Sequence, residues 1–383
     1  DDSGIFTYVS IRHGGSILAG DNEINGFTLG GVGSRTTINH VEVFANKDDG
    51  IEIFGGNVNL YNVVAAFVGD DGLDFDESWA GTIQYAFTIT YDDAILGEHA
   101  VEYDGSEDAS GTQPRTTGRI FNGTFIGGGV GSTNTDSRGL RLRNEAQAQF
   151  WNCIWTEFTD YVFRWDENAR DLVLANNIVG TFGGALDRNS RGITGFTEED
   201  PGLLGISWDP DGGLDPRLDF NSAAASGAIF PEGDSVVTVV DFRGAFGAFP
   251  ENGEGLWLTS NIGNTTDGWT ALAEYGYLPS ALTTSTVNLG SNDAGVNVAL
   301  PYPNPSFTGE LNVDVTLPSS SRVAVTVIDM SGRAVYRTAM GNFPEGNNLI
   351  KLDLTNVKTG AYILAVETEM GIVTRKFSVM NKQ

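Results

Sequence analysis

Between Gly4 and about Asn177 the chain alternates short runs of β-branched and aromatic residues with Gly, Asp and Asn turns, and almost no helical periodicity interrupts them. One series of predicted strands starts at Ile5, Ile38, Val58, Ile83, Ile120 and Phe150, and a second is interleaved with it at Ile51, Leu73, Val101, Leu140 and Val162. The second series repeats a phrase. Gly50-Ile51-Glu52-Ile53 returns 22 residues later as Gly72-Leu73-Asp74-Phe75, and again as Ala100-Val101-Glu102-Tyr103. Two interleaved series at one period, stretched by insertions, are the pattern of a solenoid. Like follows like one coil later, without tight Asn-Gly turns between successive strands. The pattern therefore predicts an all-β, parallel β-helix rather than a sandwich of hairpins. Equivalent residues then stack in columns about 4.8 Å apart.

Within that coil Ile51, Leu73 and Val101 are expected to fill the core, and Gly50 and Gly72 to turn the chain. Asn62, Asn122, Asn152 and Asn176 recur along the first series, either as stacked amides or as plain turn residues. The insertions at 106–117 and 127–137 predict loops on a binding face. The β-helix is assigned to residues 1–187, after which the period fades. Residues 188–298 are expected to cap the solenoid and connect onward, with a last strand at 236–240 and a short helix over 269–277 entered from Asp267. Asp209, Asp211 and Asp215 are spaced as cation ligands can be, but Pro210 and the missing acidic position downstream favour an ordinary turn. Residues 299–383 change character. Alternating segments at 311–317, 322–329, 333–338, 348–354, 360–367 and 372–379 predict an immunoglobulin-like β-sandwich.

Charge follows the same division. Residues 1–298 carry 14 basic and 43 acidic residues, a net of −29, whereas the tail is at +1. An acidic passenger repels nucleic acid and anionic lipid, so both are excluded as partners. Lys47 is its only lysine, which fits a salty or calcium-rich exterior as well as it fits plain solubility. No apolar run approaches the roughly 20 residues needed for a membrane span. The opening DDSGIFTYVS lacks the layout of a signal peptide, which leaves a cytosolic chain or a processed export product. Cys153 is the sole cysteine, so no intrachain disulfide forms, and its setting between Trp151 and Trp155 predicts a buried, inert thiol. His13, His40 and His99 are too scattered for a His/Cys zinc site.

The tail carries specific signatures. Tyr302-Pro303-Asn304-Pro305, then Val327 to Arg333 with Gly332, then Gly360-Ala361-Tyr362, and the ending Thr374-Arg375-Lys376-Phe377 resemble the C-terminal type A sorting domain of type IX secretion cargo. The resemblance implies a Bacteroidota source and export through the periplasm by a signal peptide now missing. It also implies handling by the type IX secretion machinery, display at the outer surface or release, and removal of the tail by a surface peptidase. The passenger, through residues 22–33, the acidic coils and Phe242-Arg243-Gly244-Ala245-Phe246, resembles a family of large secreted bacterial proteins that often carry this tail. Members usually begin with more coils, so the chain is expected to be the later part of one.

Aligning the second series puts acid into columns. One runs Glu52, Asp74, Glu102, Arg141, Arg164 and the next Phe54, Asp76, Asp104, Arg143, Asp166, while the preceding turns add Asp48, Asp49, Asp70 and Asp71. Carboxylates about 5 Å apart repel by about 3 kcal/mol at an effective dielectric of 20. A cation, a proton or a neighbouring arginine must offset that. Calcium held by Asp48, Asp49, Glu52, Asp70, Asp71, Asp74, Asp76, Glu102 and Asp104 suits an oxygen-only set outside the cell, and a solvated acidic face is the alternative. The same stretch resembles the polygalacturonase family of glycoside hydrolases, through Asn46-Lys47-Asp48, Gly69-Asp70-Asp71, Gly97-Glu98-His99 and Arg141-Leu142-Arg143. That resemblance implies Asp71 as general acid, Asp48 and Asp70 activating water, His99 in the site, and Arg141 on a uronate carboxylate. Lys47, Glu98 and Arg143 depart from its pattern. A calcium-dependent lyase with an arginine base is a further variant. The expectation is a non-enzymatic surface, glycan-binding or structural protein, with Trp79, Trp155 and Trp165 as candidate stacking platforms and a polysaccharide-degrading enzyme as the alternative.

Overall fold

A computed structural model describes residues 1–16, 24–93, 96–105, 114–219, 221–249, 256–259, 268–279, 296–329, 334–338, 341–355, 357–368 and 371–380. The expected features at Asn22, Glu23, Asp267 and Gly332, and most of the loop at 106–117, lie outside these residues. The chain divides into two compact units, one holding residues 1–218, 222–247 and 256–281, the other essentially 282–383.

The first unit is built on two parallel sheets, as the two interleaved series predict. The first sheet takes Ile5–Arg12, Thr37–Phe44, Leu60–Ala66 and Thr82–Ile89, and continues through Thr124–Ile126, Ile154–Thr156, Asn177–Val179 and Phe196–Glu198. The second stacks Phe27–Gly30, Leu73–Asp76 and their kin in the order of the coils: Ile51–Phe54 lies between those two, and His99–Tyr103, Arg138–Leu142, Tyr161–Trp165 and Ala185–Asp187 follow. Each strand pairs with its equivalent one coil on: Ile51 faces Leu73, and Leu73 faces Val101. Inward Val41, Ile53, Leu73, Phe75, Val101, Leu140 and Phe163 have no exposed surface and fill the space between the sheets. Parallel pairing does not stop at Asp187, because Phe196–Glu198 still adds to the first sheet.

A left-handed residue bends each coil of the first sheet: Tyr8, His40, Asn62, Tyr85, Asn122, Asn152 and Asn176 have φ between 52° and 65°. Asn tolerates this region because its short polar side chain bonds locally, which explains four of the seven. Their amides mostly do not stack. The Asn176 amide donates to Asn152 Oδ1 at 2.8 Å, but Asn122 donates to the Phe242 carbonyl, and Asn152 both donates to the Ile229 carbonyl and accepts from its N–H. The described residues from 229 to 246 thus lie along the flank of the first sheet. Residues 236–240 form no strand, since the backbone of Thr238 bonds to the side chain of Gln84 instead of to a ladder. Phe246, Leu258 and Leu272 pack on outward Phe44, Phe67, Phe87 and Ile89, forming a second apolar layer. The predicted helix is one turn, Ala271–Glu274, capped by Thr270. Its first N–H groups meet the buried carboxylate of Glu42, at 2.7 Å from Ala271. The Asp211 side chain accepts from Gly213 N–H and Asp215 pairs with Arg217, so this segment is the ordinary turn expected.

In the second unit Asn297–Val298, Glu310–Leu317 and Gly346–Asp353 form one antiparallel sheet. Ala334–Arg337, Ser321–Asp329, Gly360–Thr368 and Gly371–Val379 form the other, with Gly341–Phe343 beside Ser321–Asp329. Alternate residues such as Val313, Val315, Val325, Val327, Leu364 and Val366 point into one shared core, as in an immunoglobulin-like sandwich.

Candidate functional site

The second sheet sets the acidic columns in the order read from the sequence. Thr28, Glu52, Asp74, Glu102, Arg141 and Arg164 are successive register partners. The next column continues through Asp76, Asp104, Arg143 and Asp166, whose backbones are tied coil to coil: Asp104 N–H donates to the Phe75 carbonyl and Arg143 N–H to that of Tyr103. A third column holds Asp49, Asp71 and His99, because Gly50 donates to the Asp71 carbonyl and Gly72 to that of His99. The two glycines do not turn the chain by a left-handed backbone. They let coils approach: a Cβ on Gly50 would lie 2.5 Å from the Gly72 carbonyl oxygen, and one on Gly72 2.7 Å from that of Ala100.

Along these columns compensation changes sharply. Glu102 accepts from Arg141 at 3.1 Å and from Arg143 at 2.9 Å, and Arg143 also holds Asp104 at 2.9 Å. Asp166 bridges Arg141 and Arg164. The acid of that end is therefore paired with arginine, and although Glu102 comes close to Asp71, neither Glu102 nor Asp104 joins the groups gathered around Asp49. One and two coils earlier, at Asp74 and Glu52, no arginine of the described residues comes within ion-pairing distance. Asp49, Glu52 and Asp74 bring carboxylate oxygens within 4.8 Å of one another, and Asp48, Asp49 and Asp70 form an overlapping group of the same span. Glu52 is 7% exposed, and its Oε2, like Oδ1 of Asp74, is buried with no hydrogen-bond partner among the described residues.

The electrostatic consequence is uniform in sign. Burial, reinforced by the Asp76 and Asp48 charges, pushes the Glu52 carboxyl up to about 7. Burial and then the charge of Asp71 push Asp70 up to about 7, and burial pushes Asp76 up to about 6. Asp49 is raised by burial and by Asp71, and Asp74 by burial and by Asp49. Each group resists ionisation because desolvation and like charges both disfavour the anion.

Asp71 and His99 are placed differently from the hydrolase expectation. Asp71 is buried, and its Oδ1 accepts the His99 N–H at 2.9 Å and lies 2.8 Å from His99 Nδ1. Nε2 of the ring lies 2.7 Å from the Tyr161 hydroxyl, and burial draws the imidazole down to about 4. A neutral ring thus links three coils through Asp71 and Tyr161. Asp71, His99 and Glu102 come close enough for a metal, yet these bonds and the two arginines already occupy their ligand atoms. Trp79 and Trp155 have no exposed surface and are core, not stacking platforms; Trp165 is half-buried beneath Arg191. Cys153 is buried and its thiol is pushed up to about 12 by burial, as its setting between Trp151 and Trp155 predicts, although it sits in the bend between Ala148–Trp151 and Ile154–Thr156 rather than inside a strand. Sequence reasoning missed Tyr161 as the partner of His99 and Glu42 as a helix anchor. A lone acid flanked by Val41, Val43 and Phe44 in the strand Thr37–Phe44 was the available signal for Glu42.

Residues 1–183 match the family described as the pectate-lyase-like β-helix domain, and residues 301–380 match the secretion system C-terminal sorting domain. The chain carries a β-helix domain and a type IX sorting domain. A search of curated proteins finds no match to it. The sorting domain indicates handling by the type IX machinery and export to the cell surface or extracellular space. No helix among the described residues is long and apolar enough to cross a membrane. Of the predicted signal residues in the sorting domain, Tyr302, Pro303, Asn304 and Lys376 are exposed, Pro305 and Gly360 are half-buried, and Tyr362 and Phe377 belong to the core.

Proposed function

We propose that the protein is a non-enzymatic surface or extracellular protein whose β-helix is stabilised by calcium held between coils by Asp49, Glu52 and Asp74, and that it presents the loaded face to extracellular glycan or a surface assembly. The observation that carries this reading is the pair of buried oxygens on Glu52 and Asp74 that have no partner among the described residues and no arginine within ion-pairing distance. Glu102 and Asp104, farther along the same columns, each pair with arginine, Asp104 through its Oδ2 while its Oδ1 stays unbonded. A buried carboxylate without a partner is costly, and a hard divalent ion is the partner that oxygen-only ligands suit. Asp48 and Asp70, sharing Asp49, are the next ligands available.

The hydrolase alternative asks Asp71 to donate a proton to a substrate and Arg141 to grip a uronate. Asp71 is buried and committed to His99, and Arg141 is spanned between Glu102 and Asp166. Titration calorimetry with calcium, paired with melting curves in calcium and in chelator, tests the ion. At a hundredfold excess over Kd a single site adds about 2.7 kcal/mol. No heat and no change in Tm would remove calcium from the account. Polygalacturonate and alginate incubated with the protein are expected to yield neither reducing ends nor unsaturated product; either product would install the enzyme reading instead.

A further inference from the structure

The later strands of the first sheet end at a cavity. Ile154–Thr156, Asn177–Val179 and Phe196–Glu198 pair in that order, and where the chain leaves them an open cavity of about 420 Å³ lies against Thr156, Val179 and Glu198. Its volume is that of a small-ligand site. The walls belong to two packed layers: half-buried Phe182 rests on the solenoid core, and half-buried Leu203 and Ile206 rest on the second apolar layer. The recess is therefore preformed.

The charge around it is of one sign. Glu157, Glu198, Glu199 and Asp200 line the cavity, and no lysine, arginine or histidine does. Their hydrogen bonds are local and to neutral groups: Glu157 Oε2 accepts from Val130 N–H at 2.8 Å, Glu199 Oε1 from the Thr197 hydroxyl at 2.6 Å, and Asp200 Oδ1 from Gly202 N–H at 2.8 Å. None of the four forms an ion pair among the described residues, whereas Asp160, shortly after Glu157, pairs with both Arg138 and Arg188. Nor do they converge as metal ligands would, for the described groups whose donor atoms lie within 4.8 Å of one another all stand in the acidic columns. Carboxylates spread around an apolar recess suit a ligand with the same layout, a positive group on an apolar stem.

We propose that this cavity binds an organic cation, an ammonium or guanidinium group carried on an apolar stem, supplied either as a free amine or as a lysine or arginine side chain of a partner chain. The stem lies on Phe182, Leu203 and Ile206, and the charged head meets Glu198 and Glu199 at the exposed rim.

Titration calorimetry on the full chain, in chelator and at constant ionic strength, tests this with three probes: 1,5-diaminopentane, lysine blocked at both backbone ends, and 1,5-pentanediol, which keeps the stem and lacks the charge. Both cations are expected to bind saturably and the diol not at all. Glu198→Gln with Glu199→Gln removes two exposed carboxylates and should weaken the cations about tenfold. Glu77→Gln with Glu232→Gln removes the same charge at exposed positions outside the cavity lining and should leave binding unchanged. Saturating calcium should leave it unchanged as well, which separates this site from the acidic columns. Tighter binding of the diamine than of blocked lysine assigns the ligand to free amines, and the reverse assigns it to a partner's side chain. Absence of saturable heat from both cations overturns the proposal, as does equal binding of the diol, equal weakening in the two double variants, or displacement by calcium.

Discussion

Replacing Glu52 with Gln removes one charge from the uncompensated cluster while keeping the side chain's shape, and the calcium proposal makes its effect depend on the solution. The Glu52 carboxyl sits at about 7 in the folded chain against an ordinary 4.5. Between those values the folded state binds the proton more tightly than the unfolded state. The stabilisation is therefore full below about pH 4.5 and is lost as pH rises through about 7. A gap of about 2.5 in pKa corresponds to about 3.4 kcal/mol, and partial access to water reduces this to about 2 kcal/mol. In chelator at about pH 7.5, Glu52→Gln should then be about 2 kcal/mol more stable than the parent, and at about pH 4.5 the two should coincide. Saturating calcium stabilises the parent by about 2.7 kcal/mol and the variant by less, which erases the advantage of Gln. Urea denaturation followed by tryptophan fluorescence, at both pH values with chelator and with calcium, measures all of this. A variant that is less stable in chelator at neutral pH, or whose difference ignores both pH and calcium, would refute the reasoning.

Two predictions concern the scaffold. Gly72→Ala places a Cβ 2.7 Å from the Ala100 carbonyl oxygen and 3.0 Å from a methyl of Thr88, so it should cost about 1–3 kcal/mol in urea denaturation; a loss under about 0.5 kcal/mol would mean that the coils separate freely. Asn152→Ala deletes the bonds to both backbone groups of Ile229 and leaves alanine at φ 57°, with an expected loss of about 2–4 kcal/mol and faster proteolysis between 223 and 244. Proteolysis at the parent's rate would show that the flanking segment is held by its apolar layer alone.

Much of the architecture was legible because a solenoid is periodic. The 22-residue return of Gly-apolar-acid-apolar predicted which residues share a column, and Glu52, Asp74, Glu102 and Arg141 are indeed register partners. Parallel pairing converts sequence period directly into spatial order. The tail was legible for another reason, since alternation over short strands and a distinctive Tyr-Pro-Asn-Pro motif survive without any knowledge of packing.

What lies between was not legible. Residues 203–278 have no period, and the place of the described ones along the flank is decided by single bonds to Gln84, Asn122 and Asn152 and by outward aromatics that pattern alone would assign to either face. The acidic columns show the same limit. The sequence by itself determined that nine carboxylates crowd one face. Only the tertiary structure decided which are matched, because an arginine side chain reaches back one coil: Arg141 and Arg143 pair with Glu102 and Asp104 and form no ion pair with Glu52 or Asp74, each of which keeps one buried oxygen without a partner among the described residues. Burial and charge compensation depend on distances across coils, and those distances are set by the fold.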